Sequence, residues 1–84
     1  MRLLISNLNR LTTTSQVVAL LGPFGLVSSA MIMMMKSGYS EGIAVVEMEF
    51  KAGHMVISEL NNCRFMNNYI SVEETISTNN SGRA

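Results

Sequence analysis

The chain has no tryptophan, one proline, one histidine and one cysteine, and its six Lys and Arg balance six Asp and Glu to a formal net charge of zero. Each scarcity excludes something. Cys63 and His54 alone cannot supply the four ligands of a tetrahedral zinc site, so no metal and no cofactor is expected. A single thiol forms no internal disulfide, which fits a reducing, cytoplasmic setting. A balanced charge exerts no long-range pull on polyphosphate or anionic lipid, so any nucleic-acid contact has to come from local geometry. The longest apolar run, Ala30 to Met35, falls far short of the ~18 residues that suggest a membrane span. The apolar run at the N-terminus ends at Ile5, too early for a signal peptide. A soluble chain with no membrane partner is expected.

What is abundant is aliphatic and thioether carbon. Of 84 residues, 48% are hydrophobic, and eight methionines outnumber three Phe and two Tyr. That composition describes one globular domain, able to bury roughly 60% of its unfolded surface.

Leu3 to Leu8 is short, apolar and bounded by asparagines, the pattern of a buried strand followed by a loop. Thr13 stands three residues before Gln16, a capping-box spacing. Val17, Leu20, Leu21 and Phe24 follow on one helical face. Pro23 stops that helix near Gly22, and Gly25 completes the exit. Leu26 to Met35 reads as a second strand, and Lys36 to Gly42 as a polar loop. The valines in Ile43 to Phe50 favour a third strand. Ala52 to Asn62 carries Val56, Ile57 and Leu60 at helical spacing and ends in Asn-Asn, where asparagine tolerates the left-handed backbone of a helix exit. Tyr69 to Val72 alternates as a fourth strand. Residues 1–74 form the expected domain, and 75–84 a polar tail with little to bury.

The order β-α-β-β-α-β predicts an α+β, ferredoxin-like sandwich: a four-stranded antiparallel sheet with two helices on one face. Strand alternation then assigns the faces. Leu3, Ile5, Ala30, Ile32, Ala44, Val46, Ile70 and Val72 turn toward the helices. Leu4, Ser6, Met31, Met33, Met35, Ile43, Val45, Glu47, Tyr69 and Ser71 turn to the open face. A register slip of one residue would exchange the two sets and put the methionines in the core.

Two segments resemble the RNA recognition motif family. Leu3-Leu4-Ile5-Ser6-Asn7-Leu8 is similar to its first-strand hexamer. Glu41-Gly42-Ile43-Ala44-Val45-Val46-Glu47-Met48 is similar to its third-strand octamer. Leu60 to Val72 resembles the family's passage from the second helix into the last strand, with Asn62 and Asn67 where glycine is usual and Asn68 where arginine is usual. The resemblance spans residues 2 to 74 and implies single-stranded RNA as ligand, stacked on aromatic side chains of the open face. The corresponding positions hold Leu4, Ile43 and Val45, and Glu41 replaces the basic residue that would meet a phosphate. Stacking on an aromatic is worth about 1–3 kcal/mol per base, so weak or atypical RNA binding is expected. The candidate RNA-contacting residues are Arg2, Leu4, Ser6, Asn7, Arg10, Met33, Lys36, Tyr39, Ile43, Val45 and Tyr69. Asn7 also suits a strand-to-loop turn.

Read without the family, Leu4, Met31, Met33, Met35, Ile43 and Val45 form an apolar patch of adaptable side chains that calls for a cover. A homodimer or a protein partner seated on this patch is the alternative to RNA. No catalytic constellation is present. His54 stands alone on a helix, adjacent Glu73 and Glu74 diverge, and no base accompanies Cys63.

Overall fold

The computed structural model describes residues 1–76. Its elements are β1 (Arg2–Ser6), α1 (Thr14–Leu21), a 3-10 turn (Gly22–Phe24), β2 (Val27–Met34), β3 (Ser40–Met48) and α2 (Phe50–Leu60), then β4 (Arg64–Phe65), β5 (Asn68–Tyr69) and β6 (Ser71–Thr75). The main sheet has the order β2-β3-β1-β6, and β4 and β5 form a separate hairpin. Every neighbouring pair is antiparallel. This is the expected α+β sandwich. No helix is long and apolar enough to cross a membrane among the described residues.

The helices begin where side chains can satisfy free backbone N–H groups. Thr13 accepts from the Gln16 backbone at 3.2 Å while the Gln16 amide oxygen accepts from the Thr13 N–H at 2.9 Å, a complete capping box at the head of α1. Glu49 caps α2 by accepting from Ala52 N–H at 3.3 Å, so α2 starts at Phe50, before the expected Ala52. It ends at Leu60. Asn61 closes the last turn, and its side-chain oxygen accepts the Val72 N–H at 2.9 Å, tying the exit of α2 to β6. Asn62 and Asn67 have φ of 67° and 71°. Both therefore occupy the left-handed region that explains why glycine is usual there.

Leu3, Ile5, Val17, Leu21, Val46, Val56, Ile70 and Val72 are the largest fully buried side chains. They come from β1, β3, β6 and both helices, with Ile70 just ahead of β6, so the core is the single layer between sheet and helices. Burying each such side chain contributes about 1.5–3 kcal/mol, and this layer fixes the sheet that carries the open face. The methionines of β2 stay outside it. Met31 is 58% exposed and Met34 55%, so the register is the expected one and not the slipped one.

Several expected bounds shift. β1 stops at Ser6 because Asn7 turns left-handed at φ 61°. β2 and β3 are regular only from Ser29 to Ile32. Ser28 is an extra residue at one end, its hydroxyl donating to Glu47 O at 3.2 Å, and at the other Met33 alone spans what Glu41, Gly42 and Ile43 span on β3. Simple alternation therefore fails beyond Ile32. Met35 lies outside β2, and Met34 turns toward a cleft with Tyr39.

The last strand differs most. The expected Tyr69–Val72 strand is replaced by β6 at Ser71–Thr75, and Tyr69 belongs to the β4–β5 hairpin. Met66 and Asn67 both have positive φ, the requirement of a two-residue hairpin turn. Asn62 N–H bonds to Ile70 O and Ile70 N–H to Cys63 O, so this stretch pairs with itself before the chain joins β1. Thr75, expected to open the tail, is the last residue of β6, and the tail from 77 to 84 lies outside the described residues.

Candidate nucleic-acid interface

The open face is built from β3 and β1 at its centre. Val45 stands opposite Leu4 on one side and Met31 on the other, and Leu4 in turn stands opposite Glu73. These four residues make one row across all four strands. Ile43 precedes it on β3, alternating with the buried Ala44 and Val46. Leu4, Ile43 and Val45 are each half-buried, as expected for side chains whose flanks are packed and whose ends meet solvent. From Met31 to Leu4 the row presents aliphatic and thioether surface and no ring, and Glu73 ends it with a carboxylate.

A second row sits beside it. Ser29, Glu47, Arg2 and Thr75 are successive partners across the strands. The Arg2 guanidinium donates twice to one Glu47 carboxylate oxygen, from Nη2 at 2.7 Å and Nε at 3.1 Å. An exposed pair of this kind adds at most about 1 kcal/mol of stability. Its larger effect is on the face, where the one cation on β1 is already matched by a carboxylate.

Asn7, Asn9 and Asn68 clip the loop after β1 to the hairpin. Asn7 Nδ2 donates to Tyr69 O at 2.8 Å, Asn68 Nδ2 to Asn7 O at 3.0 Å, and Asn9 Nδ2 to Met66 O at 3.0 Å. The Asn7 amide is thereby spent on the turn, the structural role that its residue type suggests. One side-chain N–H and the side-chain oxygen remain to face a ligand. Ser6 ends β1 opposite Ser71, and Tyr69, 65% exposed, stands just before the buried Ile70.

At the far end of the sheet, Arg10 and Tyr39 line a cleft of about 400 Å³ together with Thr12, Ile32, Met34 and Ser40. Tyr39 is 71% exposed and is held by a tight loop in which Met35 N–H bonds to Tyr39 O at 2.8 Å. Lys36 is exposed in the same loop. Met33 and Met35 are each 37% exposed. The structure thus brings Leu4, Met31, Ile43 and Val45 together, sets Arg10, Lys36 and Tyr39 in loops beyond one end, and diverts Arg2 to Glu47. Met34, absent from the expected sites, is 55% exposed and lines the cleft beside Ile32, past the register shift between these two residues.

The octamer glycine has a specific reason. Gly42 has φ 74°, its N–H bonds to Ser40 Oγ at 2.9 Å, and Leu8 N–H bonds to its carbonyl at 2.9 Å. A Cβ there would stand 2.8 Å from Leu8 O. Only glycine fits, and its presence lets β3 shift register so that Ile43 and Val45 reach the open face.

The RNA recognition motif family model matches residues 3–71. The chain belongs to this family. RRM domains bind single-stranded RNA and are typically non-catalytic binding modules. Among solved structures, the crystal structure of the RNA-binding protein PG1 is 29% identical, with a TM-score of 0.87 over 92% of this chain and 95% of that one. The third RRM of Gbp2, solved by NMR, is also 29% identical, with a TM-score of 0.79 over 86% of this chain and 72% of that one. A Sxl-lethal protein/RNA complex is 26% identical, with a TM-score of 0.84 over 90% of this chain, which spans about half of that longer protein (47%). No curated protein matches the sequence at a significant level. Among the described residues, no three His, Cys, Asp or Glu side chains come together as a metal-holding group. His54 instead packs edge-on against Phe50, with ring centroids 4.4 Å apart.

Proposed function

We propose that this RRM binds single-stranded RNA across its open sheet face with aliphatic and thioether side chains in place of rings, and therefore weakly. The observation that carries this reading is the continuous row of Met31, Val45 and Leu4 across the centre of the sheet. Bases lie on it through dispersion and burial of apolar area. They forgo the matched π-face that makes an aromatic platform worth about 1–3 kcal/mol per base. The related Sxl-lethal protein has been seen in complex with RNA, which supports the same class of ligand here. Tyr69 and Tyr39 supply stacking surface outside the central row. Arg10 and Lys36 supply the phosphate contacts, while Arg2 is held by Glu47, and Glu41 and Glu73 repel the backbone. The alternative cover, a protein on this same patch, has no comparable support.

With about two phosphate contacts, the logarithm of affinity falls with slope about −1.4 against the logarithm of salt, so tripling the salt weakens binding about fivefold. The test is a titration of labelled short RNA pools against the wild type and Leu4→Glu. A carboxylate at the centre of the row removes binding while thermal unfolding stays cooperative. Equal affinity for the two proteins would overturn the reading.

A further inference from the structure

We propose that two copies of this chain pair antiparallel along their β2 edges, joining two four-stranded sheets into one of eight strands. This inference is independent of the RNA reading. Between Arg10 and Lys36 the sequence contains no Asp, Glu, Lys, Arg or His. The fold gathers that stretch on one side of the molecule, where α1 packs against β2. Among the described residues β2 is hydrogen-bonded only to β3, so its outer edge offers a row of unpaired backbone groups. Edge strands are ordinarily protected by charge, proline, brevity or bulges, and the bulges of β2 lie only at its ends. The opposite edge, β6, follows that rule, being five residues long with Glu73 and Glu74. β2 is eight residues long and carries neither a charge nor a proline.

The occupant that fits such an edge is the same edge. The irregularities of β2 lie at its two ends, leaving Ser29 to Ile32 regular in the middle. A two-fold axis perpendicular to the sheet at Met31 sets Met31 opposite its symmetry mate, small Ala30 opposite Ile32, and Lys36 opposite Leu26. No like charges meet, and the zero net charge of the chain leaves no long-range repulsion between copies. The same axis keeps both open faces on one side of the joined sheet.

Sedimentation velocity from about 10 µM to 1 mM, a range suited to weak association, tests the proposal. The wild type should shift from monomer to dimer. Met31→Lys sets two cations face to face and should raise the dissociation constant more than tenfold, as should Met31→Glu, whereas an equimolar mixture of the two variants should dimerise again. Leu4→Glu, on the central strand, should leave dimerisation unchanged. Met31 is 58% exposed, so both substitutions fold, which circular dichroism checks. A wild type that stays monomeric throughout overturns the proposal. So does a dimer that Leu4→Glu abolishes, since the contact is then the open face, or one that survives both Met31 variants.

Discussion

With RNA seated on the open face as proposed, a ring placed there should tighten binding, and Val45→Phe is the cleanest place to put one. Val45 is half-buried on the open face, flanked by its partners Leu4 and Met31. The neighbours that reach the core, Ala44 and Val46, are on the other side of the strand, so a larger side chain at 45 extends into solvent and does not overpack the interior. Changing one cross-strand pair alters stability by about 0.2–1 kcal/mol. The gain for RNA is larger. One stacked base contributes about 1–3 kcal/mol, and at 1.4 kcal/mol per decade this tightens binding about 5- to 150-fold. Fluorescence anisotropy with a short labelled single strand reads the change, repeated over a salt series. The ring adds no charge, so the salt slope should stay at its wild-type value. An affinity within twofold of wild type, in a protein that still unfolds cooperatively, would refute the reasoning, because the base-contacting surface would then lie elsewhere.

Other substitutions test other parts of the account. Glu41→Lys puts a cation where a carboxylate now faces solvent, so RNA affinity should rise and the salt slope steepen by about 0.7; an unchanged slope would show that position 41 lies away from the phosphates. Gly42→Ala forces a side chain into a backbone conformation that costs about 1–3 kcal/mol, and the 2.8 Å approach to Leu8 O puts the loss at the upper end; an unshifted urea midpoint would contradict this. Ile5→Ala empties a fully buried site in the sheet–helix layer and should cost about 2–5 kcal/mol, lowering the melting temperature by roughly 10 °C or more. A fall of only a degree or two would mean the layer collapses around the gap.

Most of the architecture was legible in the sequence because its signals are local and redundant. Thr13 and Gln16 announce a helix start by their spacing alone. Leu3, Ile5, Ala44 and Val46 announce the inner face of the sheet by alternation. Asn62 and Asn67, standing in for glycine, already imply left-handed turns. Where the structure departs from the expected elements, the deciding interaction is non-local. The Asn7 and Asn68 amides bond across more than sixty residues of chain, and they hold Tyr69 in a hairpin that alternation alone would read as the last strand. Met34, 55% exposed at the cleft, lies past a register shift after Ile32 that only the pairing of β2 with β3 reveals. The loss of Arg2 to Glu47 required knowing that residues 2 and 47 are partners. The replacement of rings by aliphatics, by contrast, needed only the two motifs laid side by side.

The proposed seat of the RNA is the row formed by Met31, Val45 and Leu4. Titration of isotope-labelled protein with short single-stranded RNA, followed at each backbone amide, tests it most directly. Shifts concentrated at Leu4, Met31, Met33, Ile43 and Val45, weakening as salt is raised, are the predicted result. Shifts confined to α1 and α2, or none at millimolar RNA, would contradict it.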